Sequence, residues 1–111
     1  MKNLNLDKIN HPIIIKQKIF LDKRGFFQEI FLKKKFKLKI KFTALAKSKK
    51  NVIRGLHFQI KDKQAKFIYV VEGEILDIVV NLKKSSKNFG KVYKFILKPG
   101  VMLFVPKNYA H

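Results

Sequence analysis

Arg24 and Arg54 are the only arginines in a chain that otherwise writes its positive charge as lysine, 24 times. A guanidinium offers phosphate oxygens a rigid two-pronged donor that an ammonium cannot copy. Each arginine is followed by glycine, at Arg24-Gly25 and Arg54-Gly55. Glycine lets the backbone turn sharply or approach a ligand closely. The pair points to a bound phosphate, against the plainer reading of an ion pair beside a turn. Three histidines, His11, His57 and His111, complete the side chains that titrate near neutral pH. They lie far apart, His57 has no histidine two residues away, and the chain has no cysteine. The spacing therefore builds no compact metal-ligand set.

The overall balance is 26 basic against 7 acidic residues, a net +19. Taken alone, that charge suggests nucleic acid or an anionic membrane. The skew argues otherwise. Ile occurs 13 times and Ala 4 times, the bias of an A+T-rich genome, and surface positions accept lysine at little cost. The lysines are scattered, and no aromatic-basic-aromatic platform for a single strand stands out. No nucleic-acid partner is expected; a positive field that steers a small anionic substrate is. The apolar runs Phe67–Val71 and Val101–Val105 are far too short to span a bilayer. Met1-Lys2-Asn3-Leu4-Asn5 lacks the apolar core of a signal peptide. A soluble cytoplasmic protein without a membrane partner is the expectation.

These side chains must be held by strands. Ile13–Ile15 and Ile19–Leu21 open the chain. Phe26-Phe27 leads towards a short helix with Lys33–Lys35 in its last turn. Phe36, Leu38, Ile40 and Phe42 alternate with lysines, which predicts a half-buried strand with a wet face. Val52–Gln59 reads as a strand carrying polar side chains. Phe67–Val71 and Ile75–Val80 read as two runs about the tight turn Glu72-Gly73-Glu74. Val92–Leu97 and Val101–Val105 follow, separated by Pro99-Gly100 and stopped by Pro106. At 111 residues this is one domain, 1–111, and short strands with a turn about every ten residues suggest a sandwich or small barrel.

Several motifs, in order, resemble one family. They are Arg24-Gly25-Phe26-Phe27-Gln28-Glu29, Val52-Ile53-Arg54-Gly55-Leu56-His57-Phe58-Gln59 and Gln64-Ala65-Lys66. Gly73–Leu82, Ser85-Ser86, Phe89-Gly90-Lys91 and the closing Val105-Pro106 to Ala110-His111 complete the set. The chain resembles dTDP-4-dehydrorhamnose 3,5-epimerases of the cupin superfamily, from about Ile14 to its last residue. The resemblance implies an all-β, cupin-type double-stranded β-helix (jelly roll), a homodimer, and a metal-free enzyme needing no cofactor. Its substrate would be a dTDP-linked 4-keto-6-deoxyhexose on the route to dTDP-L-rhamnose.

Such an enzyme removes a proton from carbon beside a ketone and returns one on the opposite face. The base must titrate near neutral pH, as imidazole does. By resemblance His57 is that base, and Lys66 stabilises the enolate oxygen that develops at C4. Arg24 and Arg54 match the pyrophosphate clamps, and Gln59 belongs to the same substrate-binding stretch. Phe26 and Glu29 would meet the thymidine part, in the partner subunit's site. His111 matches the histidine near the phosphates. Two departures stand out. Phe42-Thr43-Ala44-Leu45-Ala46 occupies the family's Gln-x-Asn-x-Ser stretch, whose side-chain hydrogen bonds it cannot copy. The chain also stops where the family continues. The jelly roll is therefore expected to be incomplete at the C-terminus, without the general-acid tyrosine and the aspartate that orients the base. Binding of a nucleotide sugar without turnover is the alternative.

Overall fold

The computed structural model describes residues 3–111. Met1 and Lys2, which begin the segment read above as lacking a signal-peptide core, lie outside the described residues. The chain folds almost entirely into strands. β1 (Ile13–Lys16), β2 (Ile19–Asp22) and β3 (Gly25–Gln28) precede a single helical turn, α1 (Lys33–Phe36). β4 (Lys66–Tyr69), β5 (Ile75–Asn81), β6 (Val92–Leu97), β7 (Val101–Val105) and β8 (Tyr109–Ala110) follow. All pairings are antiparallel, in sheets of order β1-β7-β4 and β6-β5-β8 with a separate β2-β3 hairpin.

The apolar residues explain the layering. Val79 of β5, Leu97 of β6 and Tyr109 of β8 pack against Leu103 and Val105 of β7, closing one core between the two sheets. Met102 and Phe104, alternating with these along β7, face the other way. They meet Ile15, Phe36 and Leu6, so α1 and the 3-10 turn Leu6–Lys8 cap the outer side. β7 is thus covered on both faces, which is why Met102 to Val105 is an unbroken buried run. Two β-sheets packed face to face in this way form an all-β jelly-roll sandwich.

Two readings of the sequence need correction. Phe36–Phe42 is not a strand. Phe36 closes α1 and is fully buried, Lys37 takes a left-handed C-cap (φ 51°), and Phe42 is exposed. Among the described residues no neighbouring strand pairs with the stretch, and an alternating pattern without a partner forms no ladder. Val52–Gln59 is likewise irregular and exposed; among the described residues its one long-range backbone link is His57 with His111. The two runs about Glu72-Gly73-Glu74 are strands β4 and β5, and the corner at Gly73 (φ +83°) sends them into different sheets. β8, two residues long, was too short to read.

Tyr109 links the core to the N-terminal segment by donating its hydroxyl to the Asn10 carbonyl at 2.7 Å. Burial, and then neighbouring Tyr93, push its phenol above the ordinary tyrosine value. A raised folded-state pKa means stability that is complete below the unfolded value of about 10 and lost as pH rises through the folded value. Tyr109→Phe should cost about 0.5–1.5 kcal/mol near pH 8, for the lost hydrogen bond. The urea-midpoint gap between variant and parent should then narrow above about pH 10. A gap that does not change with pH contradicts this.

Candidate active site

The anticipated residues fall into two groups. Arg24, Phe26 and Glu29 lie on or beside the β2-β3 arm. Register Asp22↔Gly25 leaves Lys23-Arg24 as its two-residue turn. Gly25 leaves that turn at φ +138°, a conformation that disfavours any other L residue. Arg24 forms the ion pair that the plainer reading anticipated. Its Nη2 lies 2.7 Å from Asp22 Oδ2, and its backbone N–H donates to Oδ1 at 2.7 Å. Those bonds hold the Asp22 carboxyl below its usual range and raise the guanidinium in turn. Both groups are exposed, so solvent screens the pair and a ligand can compete for the guanidinium. Phe26 and Glu29 are exposed. Gln28 fastens the arm to the body: its Nε2 donates to the carbonyls of Gln17 (3.0 Å) and Gly100 (3.2 Å), and its Oε1 accepts from Tyr69 (3.2 Å).

The second group lies along the Val105–His111 strip. Lys66 pairs with Val105 in the β4-β7 ladder. Lys63 Nζ donates to Asn108 Oδ1 at 2.7 Å. His57 N–H donates to the His111 carbonyl at 2.8 Å, and His111 N–H donates back at 3.3 Å. The segment from 57 to 66 therefore runs antiparallel beside the segment from 105 to 111. Residues that exchange both backbone bonds stand directly opposite each other, with side chains on one face. The fold thus brings the backbones of His57 and His111 together, with Lys66 further along the strip. Gly55 is needed here. Its φ is +96°, and a Cβ would come within 3.0 Å of the His111 carbonyl oxygen.

The two histidines differ in setting. His57 is exposed, and its ring has no hydrogen-bond partner among the described residues. The side chain of His111 is 19% exposed, and its Nδ1 lies 3.0 and 3.1 Å from the two oxygens of Asp77, which is 8% exposed. Lys66 is half-buried, without a hydrogen-bond partner among the described residues. Arg54 is exposed, its Nε donating to Ser48 Oγ (2.7 Å) and its Nη2 to the Lys47 carbonyl (3.0 Å). That shapes the loop before His57. Gln59 is exposed. No hydrogen bond or ion pair among the described residues joins Arg24, Phe26 or Glu29 to the His57–His111 strip.

Asp77 was missed as an individual residue, although a signal was present. In Ile75–Asn81 the inward positions are Asp77, Val79 and Asn81. A carboxylate on the buried face of a strand needs a partner. Among the described residues no three His, Cys, Asp or Glu side chains gather as metal ligands, and no helix is long and apolar enough to cross a membrane.

A jelly-roll sandwich of two packed antiparallel sheets, with His57, His111 and Lys66 along one strip, defines a class of small all-β proteins. Within that class the chain belongs to the dTDP-4-dehydrorhamnose 3,5-epimerase family, whose model matches residues 7–111. It is 37% identical over 119 residues to the Shigella flexneri dTDP-4-dehydrorhamnose 3,5-epimerase, covering 97% of this chain and 66% of that one. The crystal structure of the Sulfolobus tokodaii enzyme superposes with a TM-score of 0.76 at 42% identity, covering 90% of this chain and 61% of that one. The Legionella pneumophila 3,5-epimerase, solved in complex with dTDP-4-keto-L-rhamnose, gives 0.83 at 32% identity, with 98% and 62% covered. The chain thus spans about 61–66% of the length of these relatives.

Proposed function

We propose that this chain carries the proton-abstracting half of a dTDP-4-dehydro-6-deoxyglucose 3,5-epimerase. The observation that supports this most is the mutual backbone pairing of His57 and His111 in the strip that also holds Lys66. In this reading, a ring nitrogen of His57 takes the proton from C5 or C3 of the sugar. The C–H electron pair moves into the ring carbon's bond to C4, and the C4–O π pair moves onto oxygen as an enolate. The Lys66 ammonium lies in reach of that charge, where a positioned cation is worth most in a site shielded from water. A donor on the other face returns a proton to carbon; by family resemblance that donor is a tyrosine, and Tyr69, Tyr93 and Tyr109 do not match its motif. Arg24 and Arg54 clamp the pyrophosphate, with Gln59 and His111 beside it. The reading needs no metal, takes residues 1–111 as one cupin-like domain, and places it in the cytoplasm.

The test is isotope exchange. Incubated in D₂O with dTDP-4-keto-6-deoxyglucose, the protein should introduce deuterium at C3 or C5. Binding of dTDP with no exchange favours the alternative, a nucleotide-sugar binder without turnover. One observation speaks for that alternative: no group among the described residues fixes the tautomer of the His57 ring.

The arm supports a homodimer. Phe20 and Phe27 stand opposite one another in its register, and Phe20, Leu21, Phe26 and Phe27 are 48–80% exposed. A lone two-stranded hairpin is marginal in water, and this one exposes large apolar side chains on both faces, Phe20 and Phe27 on one and Leu21 and Phe26 on the other. A second copy seated on the arm would bring Phe26 and Glu29 to the partner's site. Sedimentation should find a dimer, and Phe27→Asp should convert it to monomer while changing stability by no more than about 0.5 kcal/mol per protomer core. A monomeric parent, or a variant that stays dimeric, rules out the arm as the interface.

A further inference from the structure

We propose that a polar cleft where β5 ends at Asn81 is a second ligand site, one that takes a phosphate group, free or carried by a small metabolite. The cleft has a volume of about 320 Å³ and is lined by Asn10, His11, Asn81, Ser86, Asn88 and Lys91, with Tyr93 and Tyr109 completing it. That volume is at the lower end of the range of small-molecule clefts, about 300–1,000 Å³. None of His57, Lys66 and His111 lines it. Asn81 stands four residues along β5 from Asp77, the carboxylate that meets His111, or about 13 Å of strand. The site therefore does not depend on the nucleotide-sugar reading. The fold builds it from three segments. Asn81 N–H donates to the Lys91 carbonyl at 3.0 Å and Gly90 N–H donates to the Asn81 carbonyl at 2.7 Å, which closes the loop from 82 to 91 onto the strand. The Tyr109 hydroxyl ties Asn10 to β8.

The lining is rich in donors that the protein itself leaves unused. Asn81 is 2% exposed. Its Oδ1 accepts from the Lys83 N–H at 2.9 Å, which fixes the orientation of the amide, and its Nδ2 donates to Ser86 Oγ at 3.2 Å. Ser86 Oγ also accepts from the Asn88 N–H at 3.1 Å. A hydroxyl has two lone pairs and one proton, so Ser86 has both lone pairs occupied and keeps its O–H to donate. Asn81 likewise keeps a second N–H, which has no acceptor among the described residues. Asn10 Oδ1 lies 3.3 Å from His11 Nδ1, which leaves the Asn10 NH₂ group to donate. Lys91 Nζ lies 4.9 Å from the Tyr93 ring centroid and joins no ion pair among the described residues. No Asp or Glu lines the cleft. A divalent cation would find no carboxylate there. Donors gathered beside an ammonium match the oxygens of a phosphate, which only accept when ionised. Because the loop is already closed, those donors need little ordering when the anion arrives. The net charge of +19 adds a field that draws anions in.

Titration of ¹⁵N-labelled protein with inorganic phosphate, at constant ionic strength, tests the site. Phosphate should shift the backbone amides of Ser86, Asn88 and Lys91 and the side-chain amide of Asn81. Lys91→Gln should weaken phosphate binding about tenfold, the scale of one hydrogen bond to a charged group, and Asn88→Ala about threefold. Lys87→Gln, on the same loop but outside the cleft, should leave the affinity unchanged. Glucose 1-phosphate separates the two sources of the group: tighter binding than inorganic phosphate assigns the site to a phosphorylated metabolite, and equal or weaker binding assigns it to free phosphate. Equal shifts with added chloride, or an equal loss in Lys87→Gln, would mean that the net charge and not the cleft holds the anion, and the site falls. Shifts confined to Arg24, Arg54 and His111 also overturn it, because phosphate then binds only where the nucleotide reading places it. So does the absence of any localised shift at about 10 mM phosphate. The shift map is read on unaltered protein, so it decides the matter even where a variant fails to fold.

Discussion

In D₂O, His57→Ala is expected to leave C3 and C5 of dTDP-4-keto-6-deoxyglucose free of deuterium under conditions where the parent protein labels them. The loss should be about 10²–10⁴ in exchange rate, the usual contribution of a positioned general base. The structure makes this substitution a clean test of chemistry. The His57 side chain is exposed, so its removal opens no cavity. The link to His111 runs through the backbone N–H and C=O of residue 57, which alanine retains. Phosphate contacts proposed for Arg24, Arg54 and His111 are also left in place. Affinity for dTDP should therefore change little while exchange falls. Exchange that persists in His57→Ala moves the base elsewhere, and a parallel collapse of dTDP binding would show that the ring holds substrate and does not take its proton.

The strands were legible where their own residues settle the matter. Val101–Val105 reads as a buried strand because β7 is covered on both faces, and every residue of the run is apolar. Pro106 ends it, as its missing N–H requires. The readings that failed turned on pairing. Phe36 to Phe42 has the alternation of a strand, but alternation reports only a possible face and not a neighbour to bond with. Ile68 and Val79 share one core although β4 and β5 do not pair. Only long-range topology tells a hairpin from a crossover between sheets. The site followed the same division. His57, Lys66, Arg24 and Arg54 enter the candidate site as residue types in motifs. That His57 faces His111 across two backbone bonds was not legible, because 54 positions of chain separate them and nothing local encodes the contact. Asp77 lay between these cases: its inward position on an apolar strand is a local anomaly, and its partner is remote.

Phe104→Ala should be the most destabilising single change among those considered, by about 3–5 kcal/mol, the usual cost of emptying a buried phenylalanine site. Domains of this size are stable by only about 5–15 kcal/mol in total, so a large share would go. Phe104 is 2% exposed and stands in register with Ile13 on one side and Phe67 on the other. It belongs to the outer core with Phe36 and Leu6, and its neighbours Leu103 and Val105 belong to the inner one. Relaxing the strand on one face therefore disturbs both cores. It also disturbs the site, since Lys66 is paired to β7 at Val105 and the chain passes from β7 directly to β8 and His111. The variant should show a lowered urea midpoint, and deuterium exchange should fall with the folded fraction. Phe20→Ser, on the half-exposed arm, should change the stability of the separated protomer by less than about 0.5 kcal/mol. A Phe104→Ala protein within about 1 kcal/mol of its parent would mean that β7 is not the shared spine of the two cores. The placement of Lys66 and His111 would then have to depend on the surrounding loops.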